Sequence, residues 1–409
     1  MVKIIVKERG KKMESYDFLL LAAIILLSTK IFGVMSEKVH MPQVVGALLV
    51  GVLLGPSCFN ILHDTDFLTK SAEIGVIFLM FLAGLDTDMD ELKSTGKASF
   101  IIAVIGVIVP LIGGLATYMM FFGKNEASDI AMLESVFVGV VLTATSVSIT
   151  VETLREMGKL KGKVGTSILG AAIIDDILGI IALTVITSFA DPNVNIVIVL
   201  LKIVLFFVFV LICGVIIHKL FRIMEEKYGK KRRVAIYGIA FCLIMSYCAE
   251  EFFGVADITG AYFAGLILCN ISDTKSYIAS KVTIVSYSFF TPMFFASMGI
   301  KTVITGLTPT IIMFSIALLI VAIITKIIGC GLGALLCKFT KNEALAVGIG
   351  MVSRGEVALI VAQKGSQVGL ISETLFPAIV IVVIVTTLIT PILLKLSMGS
   401  NKNVETSKA

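Results

Sequence analysis

Apolar stretches long enough to cross a bilayer recur along this chain, separated by short polar interruptions. They fall at roughly 16–35, 43–61, 71–85, 98–121, 130–153, 164–188, 195–217, 234–253, 255–271, 282–300, 309–337, 343–367 and 374–397. A hydrocarbon core about 30 Å thick takes ~20 apolar residues as an α-helix, so each run reads as a span. The third and ninth are short, and the eleventh is long enough to tilt. The chain is 57% hydrophobic and 15% charged, with mean hydropathy +1.02, a balance that soluble domains do not have. The expectation is an all-α polytopic membrane protein of about thirteen transmembrane helices.

Lys and Arg set the orientation of such a bundle, because cytoplasmic loops carry the excess. With thirteen spans the termini lie on opposite sides. The side of the C-terminus then holds 21 basic residues, seven of them between Lys219 and Arg233; the other side holds nine, five in the N-terminal tail. The expected topology has the N-terminus outside and the C-terminus cytoplasmic. The basic start, "MVKIIVKERGKKMES", has no small-residue cleavage site after a short apolar region, so no cleaved signal peptide is expected. Seven cysteines without a CxxC pair read as small hydrophobes. Three histidines near segment ends offer no zinc or haem site. Lys30 and Lys202 are long enough to snorkel to an interface. Lys326 and Arg354 lie deep in their runs and need partners.

The sixth run contains "AAIIDDILGI", with Asp175 and Asp176 side by side near its middle. One Asp at the centre of a membrane helix costs roughly 2.5–3.5 kcal/mol on insertion scales, so two mark a functional site. Burial and a neighbouring negative charge both favour the protonated form of a carboxylate, and the two titrate as a coupled unit. Such a site holds a proton or a desolvated monovalent cation, but hardly both. Competition of this kind, joined to alternating access, is antiport. Lys326 is the expected ion-pair partner of Asp175 from a facing helix. Arg354 and Glu356 form an expected structural charge pair. Glu73, Asp86, Glu134 and Asp257 are read as ordinary solvated or segment-end acids.

Runs 4–6 and 11–13 are counterparts offset by seven, which inverts one triplet relative to the other. Inverted repeats place the substrate site at the repeat interface near the midplane. The middle members are both interrupted: "LTATSVSIT" over Leu142–Thr150, and "GMVSRGEVA" over Gly350–Ala358. Both read as discontinuous helices whose unwound centres free carbonyls for an ion. Thr143, Thr145 and Ser146 are the candidate hydroxyl ligands beside Asp175 and Asp176. Single hydroxyls in membrane helices more often bond a carbonyl of the preceding turn.

In order along the chain, "MPQVVGALLVGVLLGPS", "IGVIFLMFLAGLDTD", "LTATSVSIT", "AAIIDDILGI", "FFASMGI", "TKIIG" and "MVSRGEVALIVA" resemble the monovalent cation/proton antiporter superfamily. The nearest branch holds bacterial Na⁺/H⁺ exchangers and Kef-type proteins. The resemblance implies that Asp176 binds the transported cation and that Asp175 pairs with Lys326. It implies a homodimer in which 1–97 and 231–306 are scaffold helices and 98–190 and 307–398 a moving core. Residues 191–230 would be a linker helix and 399–409 a cytoplasmic tail. An Asp–Asp pair with a lysine resembles the electrogenic exchangers. Kef proteins lack the double acid and carry a nucleotide-binding regulatory domain, for which the chain after its last span is expected to be too short.

The expected function is exchange of Na⁺ or Li⁺ for H⁺ across the plasma membrane. Na⁺ is held as cargo by Asp176 and Asp175, and no enzyme activity, cofactor or nucleic-acid partner is expected. Walker A and Rossmann glycine patterns are absent from the sequence. The alternatives are K⁺/H⁺ exchange and a sodium-coupled organic-anion symporter. A symporter would have a wider polar cavity and no need of Lys326.

Overall fold

A computed structural model describes residues 17–38, 41, 43–123, 128–190, 196–228, 232–301, 308–367, 370–371 and 375–399. Among them every regular element is helical. In chain order these are α1 (Asp17–Lys38), α2 (Gln43–Leu54), α3 (Asp66–Asp86), α4 (Met89–Phe122), α5 (Ser128–Thr143), α6 (Val147–Glu156), α7 (Lys163–Ala190) and α8 (Ile196–Tyr228). There follow α9 (Arg232–Phe253), α10 (Asp257–Leu268), α11 (Ser272–Val285), α12 (Thr291–Ile300), α13 (Pro309–Leu336), α14 (Lys341–Gly350), α15 (Glu356–Gln367) and α16 (Phe376–Gly399). Ten described helical segments are long and apolar enough to cross a membrane, with α2 and α10 as shorter apolar helices. The interrupted pair α14 and α15 occupies the remaining apolar run.

Helix ends depart from the hydropathy limits for identifiable reasons. The second run was expected to reach residue 61, but α2 stops at Leu54 because Gly55-Pro56 follows. The fourth was expected to begin at residue 98, yet α4 starts at Met89, where the Asp88 side chain accepts the N–H groups of Asp90 and Glu91. A polar first turn continues the helix beyond the apolar stretch, where hydropathy has no signal. Helix α14 opens with a capping box between Thr340 and Glu343. Between α11 and α12 lies a π turn, Ser286–Phe290, ahead of Pro292, whose nitrogen has no hydrogen to donate.

The chain divides into two compact units, residues 1–76 with 283–303, and 77–282 with 304–409. In the first unit, Ala22, Ile25, Leu62, Leu68, Met293, Ala296 and Ile300 form the core. In the second, α4 packs along α5, α7 and α13, while α13 also meets α14 and α16. Tyr118, Phe137, Phe314 and Leu318 centre an apolar cluster that draws on α4, α5, α13, α15 and α16. Helix α8 buries only 17% of its apolar window within the chain, so most of its surface is left for lipid. All seven cysteines are free thiols; Cys242, Cys269 and Cys330 are buried, whereas Cys58 is exposed.

Two spans are interrupted. Helix α5 ends at Thr143 and α6 begins at Val147, leaving Ala144, Thr145 and Ser146 outside the helix. Helix α14 ends at Gly350 and α15 begins at Glu356. The interruptions touch: Ser146 N–H donates to Ser353 O at 2.7 Å, and the Thr150 hydroxyl to Gly350 O at 2.7 Å. Helix α4 approaches α5 through two glycines, and a Cβ on Gly114 would stand 2.7 Å from Gly139 Cα. Gly139→Leu is therefore expected to separate the helices and destabilise the protein by about 2 kcal/mol or more. Thermal unfolding in detergent would show a lower midpoint than wild type, and an unchanged midpoint would contradict this packing.

Candidate ion-exchange site

The acid pair sits on α7, whose N-terminus is fixed from α4. Glu91 accepts the Gly162 N–H at 2.8 Å and the Thr166 hydroxyl at 3.0 Å. One turn into α7, the Ser99 hydroxyl of α4 reaches Ser167 O at 3.3 Å. These contacts set the height of α7 along the bundle, and with it the height of Asp175 and Asp176. Asp175 is 2% exposed and Asp176 7%. Successive residues on a helix point about 100° apart, so the two carboxylates address different surroundings.

Lys326 on α13 is wholly buried, and its Nζ lies 3.0 and 3.1 Å from the two oxygens of Asp175. A bidentate ion pair away from water is strong, but taking both charges out of water offsets much of the attraction. The Thr145 side chain and the Arg354 charge also act on the Asp175 carboxylate. Lys326, Thr145 and Arg354 are thus grouped about Asp175. Asp176 lies beside it on the same helix.

The other candidate hydroxyls are engaged with the protein. Thr143 donates to Val140 O at 2.7 Å, the ordinary bond of a helical threonine to the preceding turn. Ser146 shares a 3.2 Å hydrogen bond with Ser148. Thr145 also reaches Met351 O, at 3.5 Å. Arg354 is wholly buried and donates to carbonyls of Val352, Leu142 and Ala322, at 2.5, 2.6 and 3.3 Å. The side chain of its expected partner Glu356 lies outside the described residues.

The secondary acids are placed as follows. Glu73 is exposed and pairs with Lys70 at 2.8 Å. Asp257 accepts the Ile258 N–H at 2.7 Å at the start of α10. Glu134 accepts the hydroxyl of Tyr118. Asp86, read from sequence as an ordinary segment-end acid, pairs with Arg155 at 2.6 Å. It borders a polar cavity of about 330 Å³ that Asp88, Asp90, Lys93, Lys161 and Lys275 also line. No local pattern relates residues 86 and 155, 69 positions apart.

A family model described as sodium/hydrogen exchanger, transmembrane, matches residues 21–397. The chain belongs to the sodium/hydrogen exchanger family. Its relatives include the Na⁺/H⁺-K⁺ antiporter GerN of Bacillus cereus, 39% identical over 96% of this chain and all of GerN. The Na⁺/H⁺ antiporter of Enterococcus hirae is 37% identical over 93% of this chain and 97% of its own length. These exchanger relatives are named as transporters rather than enzymes. The solved structure of the sodium proton antiporter MjNhaP1 from Methanocaldococcus jannaschii superposes with a TM-score of 0.68. It covers 92% of this chain and 95% of its own at 18% identity, which supports the exchanger fold alone.

The buried pair makes a stability prediction that does not depend on transport. Lys326→Met leaves Asp175 buried without its ammonium, and breaking such a pair costs about 3–5 kcal/mol. Adding Asp175→Asn is expected to recover more than half of the lost thermal stability, because no buried charge is then stranded. Equal instability of the single and double variants would show that the two side chains are not coupled.

Proposed function

We propose that the protein is a secondary antiporter that exchanges Na⁺ for H⁺ by alternating access. The observation that carries this reading is the buried Asp175–Lys326 pair with Asp176 beside it at a contact between two interrupted helices. Asp176 is the site at which proton and cation compete, with Asp175 sharing the cation. Thr145 is the candidate hydroxyl whose side chain acts on Asp175. Li⁺, the usual small competitor of Na⁺ at carboxylate sites, is the second cargo. The name of the Bacillus cereus relative includes K⁺, so K⁺ exchange is the second reading and belongs in the same assay.

The wider arrangement follows as part of this proposal. Residues 98–190 and 307–398 are the core, and every residue assigned here to the site falls within them. The interruptions lie in the fifth and twelfth spans, as two inverted repeats offset by seven would place them. Residues 1–97 and 231–306 are the scaffold of a homodimer, 191–230 the linker and 399–409 a cytoplasmic tail. The protein lies in the plasma membrane in this reading, and the excess of Lys and Arg supports an N-terminus outside and a C-terminus in the cytoplasm.

Exchange is electrogenic in this scheme: Asp175 and Asp176 both take protons on the return, and one cation crosses the other way. The test is transport in proteoliposomes carrying a pH dye, at imposed membrane potentials, with Na⁺, Li⁺ or K⁺. Wild type should respond to the potential, and Asp176→Asn should abolish cation-driven proton flux. Asp175→Asn should be inactive, through the stranded ammonium, or exchange without regard to potential. A wild type indifferent to potential would end the two-proton scheme. Robust flux through Asp176→Asn would end the assignment of Asp176.

A further inference from the structure

The second interruption has little backbone to offer an ion, because its carbonyls are already engaged. Gly350 O accepts the Thr150 hydroxyl, Met351 O the Thr145 hydroxyl, and Ser353 O the Ser146 N–H. Val352 O accepts from the Arg354 guanidinium, and Arg354 O from the Thr387 hydroxyl of α16. The sequence-based picture of carbonyls freed by unwinding thus gives way to five consecutive carbonyls with protein donors.

The same guanidinium serves two other elements. In an unbroken helix Leu142 O would accept the N–H of residue 146, but that N–H is used on Ser353. Arg354 Nη2 takes its place at 2.6 Å and also reaches Ala322 O at 3.3 Å. Ala322 is one turn before Lys326 on α13. Carbonyls converging in a dry interior are what an alkali cation is coordinated by in transporters of this general plan. Here a planar guanidinium cation is built into the chain at that place.

We propose that Arg354 is a positioning residue: a fixed internal cation that fills the carbonyl cluster where the interrupted helices meet. It keeps those carbonyls from the transported ion, which is left to the α7 carboxylates. Through Ala322 it also holds α13 at the height at which Lys326 meets Asp175. The inference rests on the exchange reading above and adds to it where the cargo does not bind.

Two variants test it, Arg354→Ala and Arg354→Lys, each measured for thermal stability and for transport. Arg354→Ala should unfold at lower temperature, and millimolar guanidinium should restore part of the loss while leaving wild type unchanged. In proteoliposomes its maximal rate should fall about tenfold or more, from misplacement alone. The apparent KM for Na⁺ should stay within about twofold, because the ion's ligands remain. Arg354→Lys should recover most of the rate. If Arg354→Ala does not fold, Arg354→Lys must still fold and exchange with the wild-type KM; failure of both overturns the proposal. So does a KM raised with the rate intact, which would place Arg354 among the ion's ligands, or an alanine variant indistinguishable from wild type. A wild type without Na⁺-driven proton flux would end the exchange reading, while the guanidinium arm still judges Arg354 on stability.

Discussion

A backbone carbonyl or N–H in hydrocarbon has no water to turn to, and this limits where a membrane helix is able to break. The two interruptions meet that limit by satisfying one another. Ser146 N–H and the Thr150 hydroxyl from the first serve Ser353 O and Gly350 O of the second, and Arg354 from the second serves Leu142 O of the first. Each interruption leaves half-helix ends, and several of their partners belong to the other. The site near Asp175 is therefore a consequence of a pairwise constraint. Substitutions that disturb one interruption should be felt at both.

The consequence for α7 is mechanical as well as electrostatic. Its acids are useful only at one height, and that height is held from outside the pair. At the N-terminal end of α7, Glu91 and Ser99 tie it to α4. At mid-depth, the Lys326–Asp175 ion pair ties it to α13, and Ala322 ties α13 to the guanidinium. In the proposed exchange, a cation or proton that loosens the Lys326–Asp175 contact thus acts on the attachment of α7 to its neighbour. Occupancy would then be coupled to movement through a contact of about 3 Å, without a pathway of remote residues.

Much of this was legible in the sequence, and the remainder was not for physical reasons. Hydropathy located the spans because burial in lipid demands length and apolarity, and two adjacent acids in such a span are too costly to be incidental. Helix ends were less legible: α2 ends early at Gly55-Pro56, and α4 extends into a polar turn capped by Asp88. Lys326 was identified as needing a partner because a lone buried ammonium has no other resolution. Arg354 posed the same question, and sequence offered Glu356, whose side chain lies outside the described residues. The contacts that the structure does describe for Arg354 are with carbonyls, which every residue carries and no pattern of side chains reveals. The Asp86–Arg155 pair was hidden for a different reason, the meeting of distant segments.

The charges around Asp175 connect Arg354 to the stoichiometry of exchange. Asp175 and Asp176 carry two negative charges when ionised, and Lys326 and Arg354 carry two positive ones. An ionised, empty site made of these four groups is therefore neutral. Binding Na⁺ gives it a net charge of plus one, and so does one proton on Asp176. A one-for-one cycle would present the same buried charge in both loaded states, and membrane potential would have nothing to act on. A second proton has only Asp175 to go to, and it removes the negative half of the contact with Lys326. The loaded state with two protons then has one more positive charge and a broken ion pair. In the proposed scheme, electrogenic exchange and release of α13 from α7 are for this reason one event at one carboxylate.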